Sequence, residues 1–241
     1  ALDFMVSSLE AWRVAMGLEK FDLVCHSVGS YYGSHYAMRY PDRVRRLVLV
    51  SPAGLGSHPP EEELQQPSSI IKCCWEVGCA NYNALSWLGR CAKTRARDKF
   101  CNTNFHFLDD EESELLFDYF WQGMYGQLAS SDIAVNHVLI PKVSHEGFTI
   151  SGWTGVYGRR PVGSDENITQ LSMPTTVMFG DYSASARPWY GDWLYTPSAP
   201  EAIERMPAGE PIKMVREASH HVYMHQPGEF TRLMEAALKG E

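Results

Sequence analysis

Three side chains of the types that combine in nucleophilic catalysis lie far apart in the sequence: Ser27, Asp181 and His220. A serine hydroxyl is a weak nucleophile at neutral pH, so it needs an imidazole as a base and a carboxylate that orients the imidazole. Serine, acid, histidine is one of the chain orders in which such triads occur. The chemistry that these residues predict is acyl transfer through an intermediate on Ser27.

The residues around Ser27 indicate a strand, a tight turn and a helix in immediate succession. Residues 21–26 are mostly apolar, and Gly29 is small enough to let strand and helix approach closely. Cys25 stands two residues before the serine, where glycine is usual, and it adds a Cβ where crowding is worst. We expect the main-chain N–H of Val28 to donate to the oxyanion, with a second donor upstream of the turn.

Elements on both sides of the turn agree with this interpretation. Apolar residues repeat at helical spacing up to Gly17, and residues 28–39 are compatible with a helix that Pro41 ends. Residues 45–52 contain the unbroken apolar run 47–50, which is typical of a buried parallel strand. Further strands are predicted at residues 175–179 and 212–215, and a last helix at 227–239. The apolar residues that repeat at helical spacing before Gly17 are Leu2, Met5, Leu9, Trp12 and Met16.

The base must lie in a loop after the last strand, where His220 and His221 stand side by side. We favour His220, because the small residue Ser219 precedes it. The acid should follow the strand at 175–179, and Asp181 is the carboxylate nearest to that position. Asp181 could instead cap a turn, a role that aspartate fills readily. Asp192 and Asp165 are the alternative acids.

The middle of the chain differs from its two ends. Residues 59–167 are rich in aromatic side chains and are interrupted by acidic clusters such as residues 61–63 and 109–112. We interpret residues 1–58 and 168–241 as one α/β core, and 59–167 as a helical cap inserted over its active site. The alternative is a helical subdomain that only packs, with the aromatic residues as its core.

Composition limits the function further. The 241 residues are 44% apolar and carry a formal net charge of −8, which argues against a nucleic-acid surface. No apolar run reaches the roughly 20 residues that span a bilayer. The six cysteines lack the spacing of a zinc site or a disulfide framework, so we expect reduced thiols in a cytoplasmic protein, without a metal or cofactor.

Several stretches resemble one family. Residues 18–54 are similar to the nucleophile-elbow region of α/β-hydrolases. More specific are Ser-Asp-Ile-Ala-Val-Asn-His at 131–137, Gly-Val-Tyr-Gly-Arg-Arg-Pro at 155–161 and His-His-Val-Tyr-Met-His-Gln-Pro at 220–227. Together they resemble the abhydrolase family of lysophospholipases and lysophosphatidic-acid acyltransferases. The resemblance implies an α/β-hydrolase fold, with a mostly parallel sheet and a helical cap.

The resemblance also implies what such a protein acts on. It favours a serine hydrolase of carboxylic esters or N-acyl groups in (lyso)glycerophospholipids, with Ser27 as nucleophile. The alternatives are a lysophosphatidic-acid acyltransferase and a non-catalytic lipid-binding protein or lipase co-activator. The family's acyl-transfer pattern has His, four residues, then Asp; here His220 fills the first position and His225 replaces the Asp.

Two further expectations follow from the resemblance. The partners of such a protein would be acylated lipids or other hydrophobic esters. Its cap would make peripheral contact with lipid droplets, mitochondria or the endoplasmic reticulum. The elbow strand is normally the fifth of eight, whereas about twenty residues precede it here. We therefore expect an N-terminally truncated hydrolase, holding only the C-terminal half of the sheet and inactive by itself.

Overall fold

The computed structural model describes residues 1–55, 108–125, 139–141, 156–158, 162–181, 195 and 199–240. The chain divides into two compact units, residues 1–65 with 138–241, and residues 66–137. In chain order the described elements are α1 (Leu2–Ala15), β1 (Phe21–His26), α2 (Val28–Arg39), a 3₁₀ turn (Pro41–Arg43), β2 (Val44–Val50), α3 (Asp110–Tyr125), β3 (Leu139–Pro141), β4 (Val156–Gly158), α4 (Asp165–Ile168), β5 (Thr175–Asp181), α5 (Ala199–Glu204), β6 (Lys213–Arg216), α6 (Val222–His225) and α7 (Pro227–Lys239).

The larger unit is built on a parallel sheet. Its described strands lie in the order β1-β2-β5-β6, and each neighbouring pair is parallel. Because the strands are parallel, their carboxyl ends lie at one edge, and the residues that follow β1, β2 and β6 meet there. The predicted α/β-hydrolase fold with a mostly parallel sheet is confirmed. A separate antiparallel pair joins β3 and β4.

The two inner strands are the most buried part of this sheet. Residues 47–50 of β2 and 177–179 of β5 are at most 1% exposed, which explains their unbroken apolar sequences. Helix α7 covers them with half-buried Phe230, Leu233 and Met234, packed against a cluster that includes Val48 and Met178.

Helix α7 has the bounds that the sequence predicts. Pro227 is its first residue, and Gly240 ends it in a left-handed conformation with φ of 79°.

The buried face of helix α1 only partly coincides with its apolar repeat, of which Leu2, Met5 and Leu9 are half-buried. Trp12 and Met16 are 48% and 59% exposed, whereas Val6 and Arg13 are buried. Arg13 donates to the Glu10 carboxylate at 2.7 and 2.9 Å and to the main-chain carbonyl of Leu18. A guanidinium with this many acceptors can be buried at little cost, so it takes the place of an apolar side chain.

In the smaller unit the described element is α3, which explains one acidic cluster. The main-chain N–H of Glu112 donates to the Asp109 carboxylate at 2.8 Å, and the N–H of Asp109 donates back to Glu112 at 3.4 Å. This reciprocal capping makes residues 109–112 a helix start. The remainder of the predicted cap at 59–167 lies mostly outside the described residues, so the cap stays a prediction.

Candidate active site

Ser27 stands in a strained turn between β1 and α2. Its φ and ψ are 54° and −125°, a conformation that a residue with a side chain rarely adopts. Hydrogen bonds hold the turn: the N–H of Ser27 donates to Val50, and its carbonyl accepts from Ser30 and Ala53, at 3.0 to 3.1 Å. Strain of this kind costs about 1–3 kcal/mol and persists where the surrounding structure fixes it.

Such strain is concentrated at one edge of the sheet. Among the described residues, the non-glycine positions with positive φ are Ser27, Ser51 and Glu217. They follow β1, β2 and β6 directly, at the carboxyl ends of the strands. In open parallel sheets this edge is where ligands bind.

The structure brings Ser27 and His220 together. Nε2 of His220 lies 3.0 Å from Oγ of Ser27, although 193 residues separate them in sequence. His220 is buried, and it lies between β6 and α6 as the sequence predicts. Because Nε2 must accept the serine proton, the neutral ring has to carry its own proton on Nδ1. This pair is the geometry of a nucleophile and its general base.

His221, the alternative base, has different neighbours. Its Nδ1 lies 3.1 Å from the hydroxyl of Tyr223. Its ring packs against those of His26 and Tyr223, with centroid distances of 5.4 and 5.9 Å. The structure therefore places His220 against Ser27, and the role of His220 as the base stays a prediction.

Cys25 fits into the turn because of a glycine in α2. A Cβ added to Gly33 would overlap Sγ of Cys25, so the helix leaves room for the thiol at that position. Ser30 donates its hydroxyl to the Cys25 carbonyl at 2.9 Å. Burial raises the pKa of the Cys25 thiol to about 12, so the thiol stays protonated at neutral pH and is a poor nucleophile.

Val28 has the position that an oxyanion donor needs. It is the first residue of α2, and the first N–H groups of a helix have no acceptor within the helix. These N–H groups also form the positive end of the helix dipole. Both features favour a negative oxygen next to Ser27, and the role of Val28 stays a prediction.

Asp181 is the last residue of β5, so this strand is two residues longer than the sequence predicts. It lies opposite Arg216 in the register with β6. The preceding residue, Gly180, packs directly under the histidine loop, because an added Cβ would overlap the carbonyl oxygens of Ala218 and Ser219. Asp181 is thus placed beside the loop of His220, and its role as the acid stays a prediction.

The structure does not decide between Asp181 and the two alternative acids. Asp165 is the first residue of α4, and Asp192 lies outside the described residues.

Sequence reasoning missed two residues at this site. Nε2 of His26 lies 2.9 Å from the main-chain carbonyl oxygen of His220, and Oγ of Ser51 donates to the same oxygen at 3.1 Å. His26 ends β1 and Ser51 follows β2. The signal that could have found them is their position at the carboxyl ends of adjacent parallel strands, where side chains converge.

Within the described part of the chain, no group of three His, Cys, Asp or Glu residues is arranged to hold a metal ion. Of the helices in those same ranges, none combines the length and apolarity needed to cross a membrane. Cys25, the cysteine inside these ranges, is a free thiol.

Comparison with known proteins agrees with the fold. Residues 1–72 match the family model of the alpha/beta hydrolase fold. The (lyso)-N-acylphosphatidylethanolamine lipase of Homo sapiens is 28% identical over 244 residues, covering 98% of this chain and 63% of that protein. The 1-acylglycerol-3-phosphate O-acyltransferase ABHD5 of Homo sapiens is 25% identical over 236 residues, covering 94% of this chain and 60% of that protein.

The chain thus spans 63% and 60% of the length of these two curated relatives. A solved serine hydrolase of Cycloclasticus zankles is similar in structure, with a TM-score of 0.62 at 16% identity. The match covers 99% of this chain and 71% of that chain, and at this identity it shows the fold alone. This chain therefore has the α/β-hydrolase fold, and over most of its length it is similar to a (lyso)-N-acylphosphatidylethanolamine lipase and to a 1-acylglycerol-3-phosphate O-acyltransferase.

Proposed function

We propose that the protein is a serine hydrolase that cleaves carboxylic ester or N-acyl bonds of (lyso)glycerophospholipids through an acyl-enzyme on Ser27. The observation that carries this proposal is the 3.0 Å distance between Ser27 Oγ and His220 Nε2 at a strained turn. A buried imidazole that faces a serine hydroxyl at this edge of the sheet is the arrangement that removes a proton during nucleophilic attack.

In the first half of the reaction, Oγ of Ser27 attacks the acyl carbonyl carbon while Nε2 of His220 takes the hydroxyl proton. The carbonyl oxygen becomes negative and accepts a hydrogen bond from the N–H of Val28. The bond to the leaving oxygen or nitrogen then breaks, and His220 returns its proton to that atom. The products are an acylated Ser27 and the free alcohol or amine.

In the second half, His220 removes a proton from water, and the resulting hydroxide oxygen attacks the acyl carbon. The bond from Ser27 Oγ to that carbon breaks, and the proton on His220 passes to Oγ. A fatty acid leaves, and the enzyme regains its starting state. Asp181 is our candidate for the carboxylate that keeps the His220 ring in the required tautomer.

The substrate class rests on the two curated relatives, which are named as a lipase of (lyso)-N-acylphosphatidylethanolamine and as an acyltransferase of 1-acylglycerol-3-phosphate. Both names describe acyl chemistry on glycerophospholipids. His225 replaces the aspartate of the family's acyl-transfer pattern, and its Nε2 lies 2.9 Å from Ser219 Oγ. This replacement makes hydrolysis the better proposal. Contact of the cap with a lipid surface is proposed on the same resemblance.

The test uses the full-length protein, because residues 1–241 alone are expected to be inactive, and labels it with a fluorophosphonate, whose phosphorus bonds to an activated serine oxygen as fluoride leaves. We expect labelling of Ser27, located by mass spectrometry, and none in Ser27→Ala. We also expect fatty-acid release from a lyso-N-acylphosphatidylethanolamine by the wild type and none by Ser27→Ala. The matched control is Ser8→Ala, which removes an exposed hydroxyl on α1 and should leave both labelling and release unchanged.

Each alternative function has its own outcome in this experiment. Formation of phosphatidic acid after addition of lysophosphatidic acid would identify an acyltransferase. A folded protein with no labelling and no release would identify a lipid-binding protein or co-activator. Either result would overturn the proposed hydrolase.

A further inference from the structure

We propose that His26 and Ser51 are positioning residues that hold the main chain of His220 and thereby set the distance between its imidazole and Ser27. This inference rests on the proposed function, because it concerns the same serine and histidine. It adds two side chains that do not touch the reacting atoms and act through His220.

The first observation is a shared acceptor. The carbonyl oxygen of His220 accepts from Nε2 of His26 at 2.9 Å and from Oγ of Ser51 at 3.1 Å. The two donors come from the ends of β1 and β2, whereas His220 follows β6. Both lone pairs of this carbonyl are therefore used to join the histidine loop to two other strands.

The second observation is that nucleophile and base have a common support. His26 is the residue before Ser27, so the strand that presents the nucleophile also holds the main chain of the base. Because of this hydrogen bond, a movement of β1 would carry the loop with it and move both groups together. Reacting groups need to stay within a fraction of an ångström of their working geometry, and this connection maintains it.

The third observation is the strain at Ser51. Its φ is 45°, it is fully buried, and its N–H donates to the Met178 carbonyl at 2.7 Å. Glycine would adopt this conformation at lower cost. A hydroxyl that reaches the His220 carbonyl gives a physical reason for a serine at this position.

Ring packing fixes the orientation of His26. Its ring centroid lies 4.7 Å from that of His220 and 5.1 Å from that of Tyr223, the latter at an interplanar angle of 87°. To donate to a carbonyl, Nε2 of His26 must carry a proton, whereas Nε2 of His220 must lack one. The two neighbouring imidazoles therefore need opposite tautomers.

The test compares His26→Phe, which keeps a ring but loses the donor, with His26→Gln, which keeps an N–H donor. We expect His26→Phe to lower kcat on p-nitrophenyl butyrate by about 10- to 100-fold with little change in KM, because misplacement of the base affects the chemical step. Fluorophosphonate labelling of Ser27 should slow in parallel. His26→Gln should recover a substantial part of both rates.

Ser51→Gly supplies an independent variant, since it removes the hydroxyl and releases the strained φ. We expect kcat to fall by about tenfold while thermal stability is kept. His35→Phe is the matched control, because this half-buried histidine packs on Tyr31 in α2 and should leave both rates unchanged.

The outcomes separate this inference from the proposed function. Wild-type rates in folded His26→Phe and Ser51→Gly, with Ser27→Ala inactive, would overturn the positioning role and leave the hydrolase proposal intact. Equal losses in His26→Phe and His26→Gln would also overturn it, since the donor would then not matter. Activity that survives in Ser27→Ala would overturn the proposed function itself.

Discussion

The two ends of β1 carry polar clusters of very different kinds. Near its first residue, Phe21, the Glu10 carboxylate accepts hydrogen bonds from two side chains. One donor is Arg13 of α1, and the other is the hydroxyl of Tyr36 of α2, at 2.8 Å. After its last residue, His26, stand Ser27 and His220, whose Oγ and Nε2 lie 3.0 Å apart and which we propose as nucleophile and base. The first cluster contains an ion pair on a regular helix, whereas the second pairs a hydroxyl with an imidazole at a strained turn.

The difference bears on the proposed function, because it concerns which cluster could exchange a proton with a substrate. The hydrogen bond from Arg13 lowers the pKa of Glu10 to about 2, and burial raises the pKa of Tyr36 above its usual range. Both groups therefore keep one protonation state at neutral pH and cannot exchange a proton with substrate. A serine and an imidazole can pass a proton back and forth, so the strained turn and the serine–imidazole contact distinguish the end of the strand that we propose as reactive.

The largest effect should come from the reactive end, when His220 is removed. We expect His220→Ala to lower turnover by about 10⁴-fold or more, because the serine loses its base. His221→Ala should keep most of the activity, since its Nδ1 faces Tyr223. Initial rates of ester hydrolysis for the two variants are the measurement. An inactive His221→Ala beside an active His220→Ala would show that His221 is the base.

A smaller effect is expected where the sheet supports the histidine loop. In Gly180→Ala the new Cβ overlaps the carbonyl oxygens of Ala218 and Ser219, so the loop that carries His220 must move. We expect a loss of about 1–3 kcal/mol in the free energy of unfolding and a fall in kcat of about 100-fold. Urea unfolding and steady-state kinetics measure the two effects.

Gly228→Ala is the matched control for this variant. A Cβ there meets no atom within 4 Å, and the residue lies in the first turn of α7. Stability should stay the same or rise by up to about 1 kcal/mol, with unchanged kcat. Equal behaviour of the two glycine variants would show that the loop does not depend on close packing at Gly180.

The two ends of β1 also differ in how far the sequence predicts them. The strand, Ser27, α2 and His220 follow from local rules, because apolar runs and a fixed place for the base are visible in the letters. The expected reason for Gly29 is wrong, since a Cβ added there meets no atom within 4 Å and close approach does not require glycine. Arg13 does not follow from local rules, since its burial depends on acceptors from Glu10 and Leu18 that only the folded turn brings together. The roles of His26 and Ser51 could not be predicted either, because their shared acceptor, the carbonyl of His220, is brought to them only by the fold and leaves no pattern in the sequence.

The packing between β1 and α2 near the reactive end gives an effect of intermediate size. Gly33→Ala should destabilise the protein by about 1–2 kcal/mol, although alanine normally favours a helix, because its Cβ overlaps Sγ of Cys25. Removal of that sulfur in Cys25→Ala/Gly33→Ala should recover most of the loss. Urea unfolding of both single variants and of the double variant gives the free energies for a double-mutant cycle. Additive effects would show that Gly33 does not accommodate the cysteine.

The smallest effect should come from the charged end, and it should depend on pH. Glu10 has a pKa of about 2 in the folded protein against an ordinary value of 4.5, so the unfolded chain takes up its proton first as pH falls. The stability that the carboxylate contributes is therefore complete above about pH 4.5 and is lost as pH falls towards 2. Glu10→Gln should thus be less stable than wild type at pH 7 by on the order of 1 kcal/mol, and the difference should shrink below about pH 4.5.

Urea unfolding at about pH 7, 4 and 3 measures this difference, and ester hydrolysis at neutral pH should be equal in both proteins. Glu235→Gln is the control, because its 3.6 Å ion pair with Lys239 is about 60% exposed and should contribute little at any pH. A difference that grows on acidification would contradict the lowered pKa of Glu10. A fall in kcat of Glu10→Gln would contradict the separation of the two ends, since a cluster that holds its protons fixed has no step to perform in catalysis.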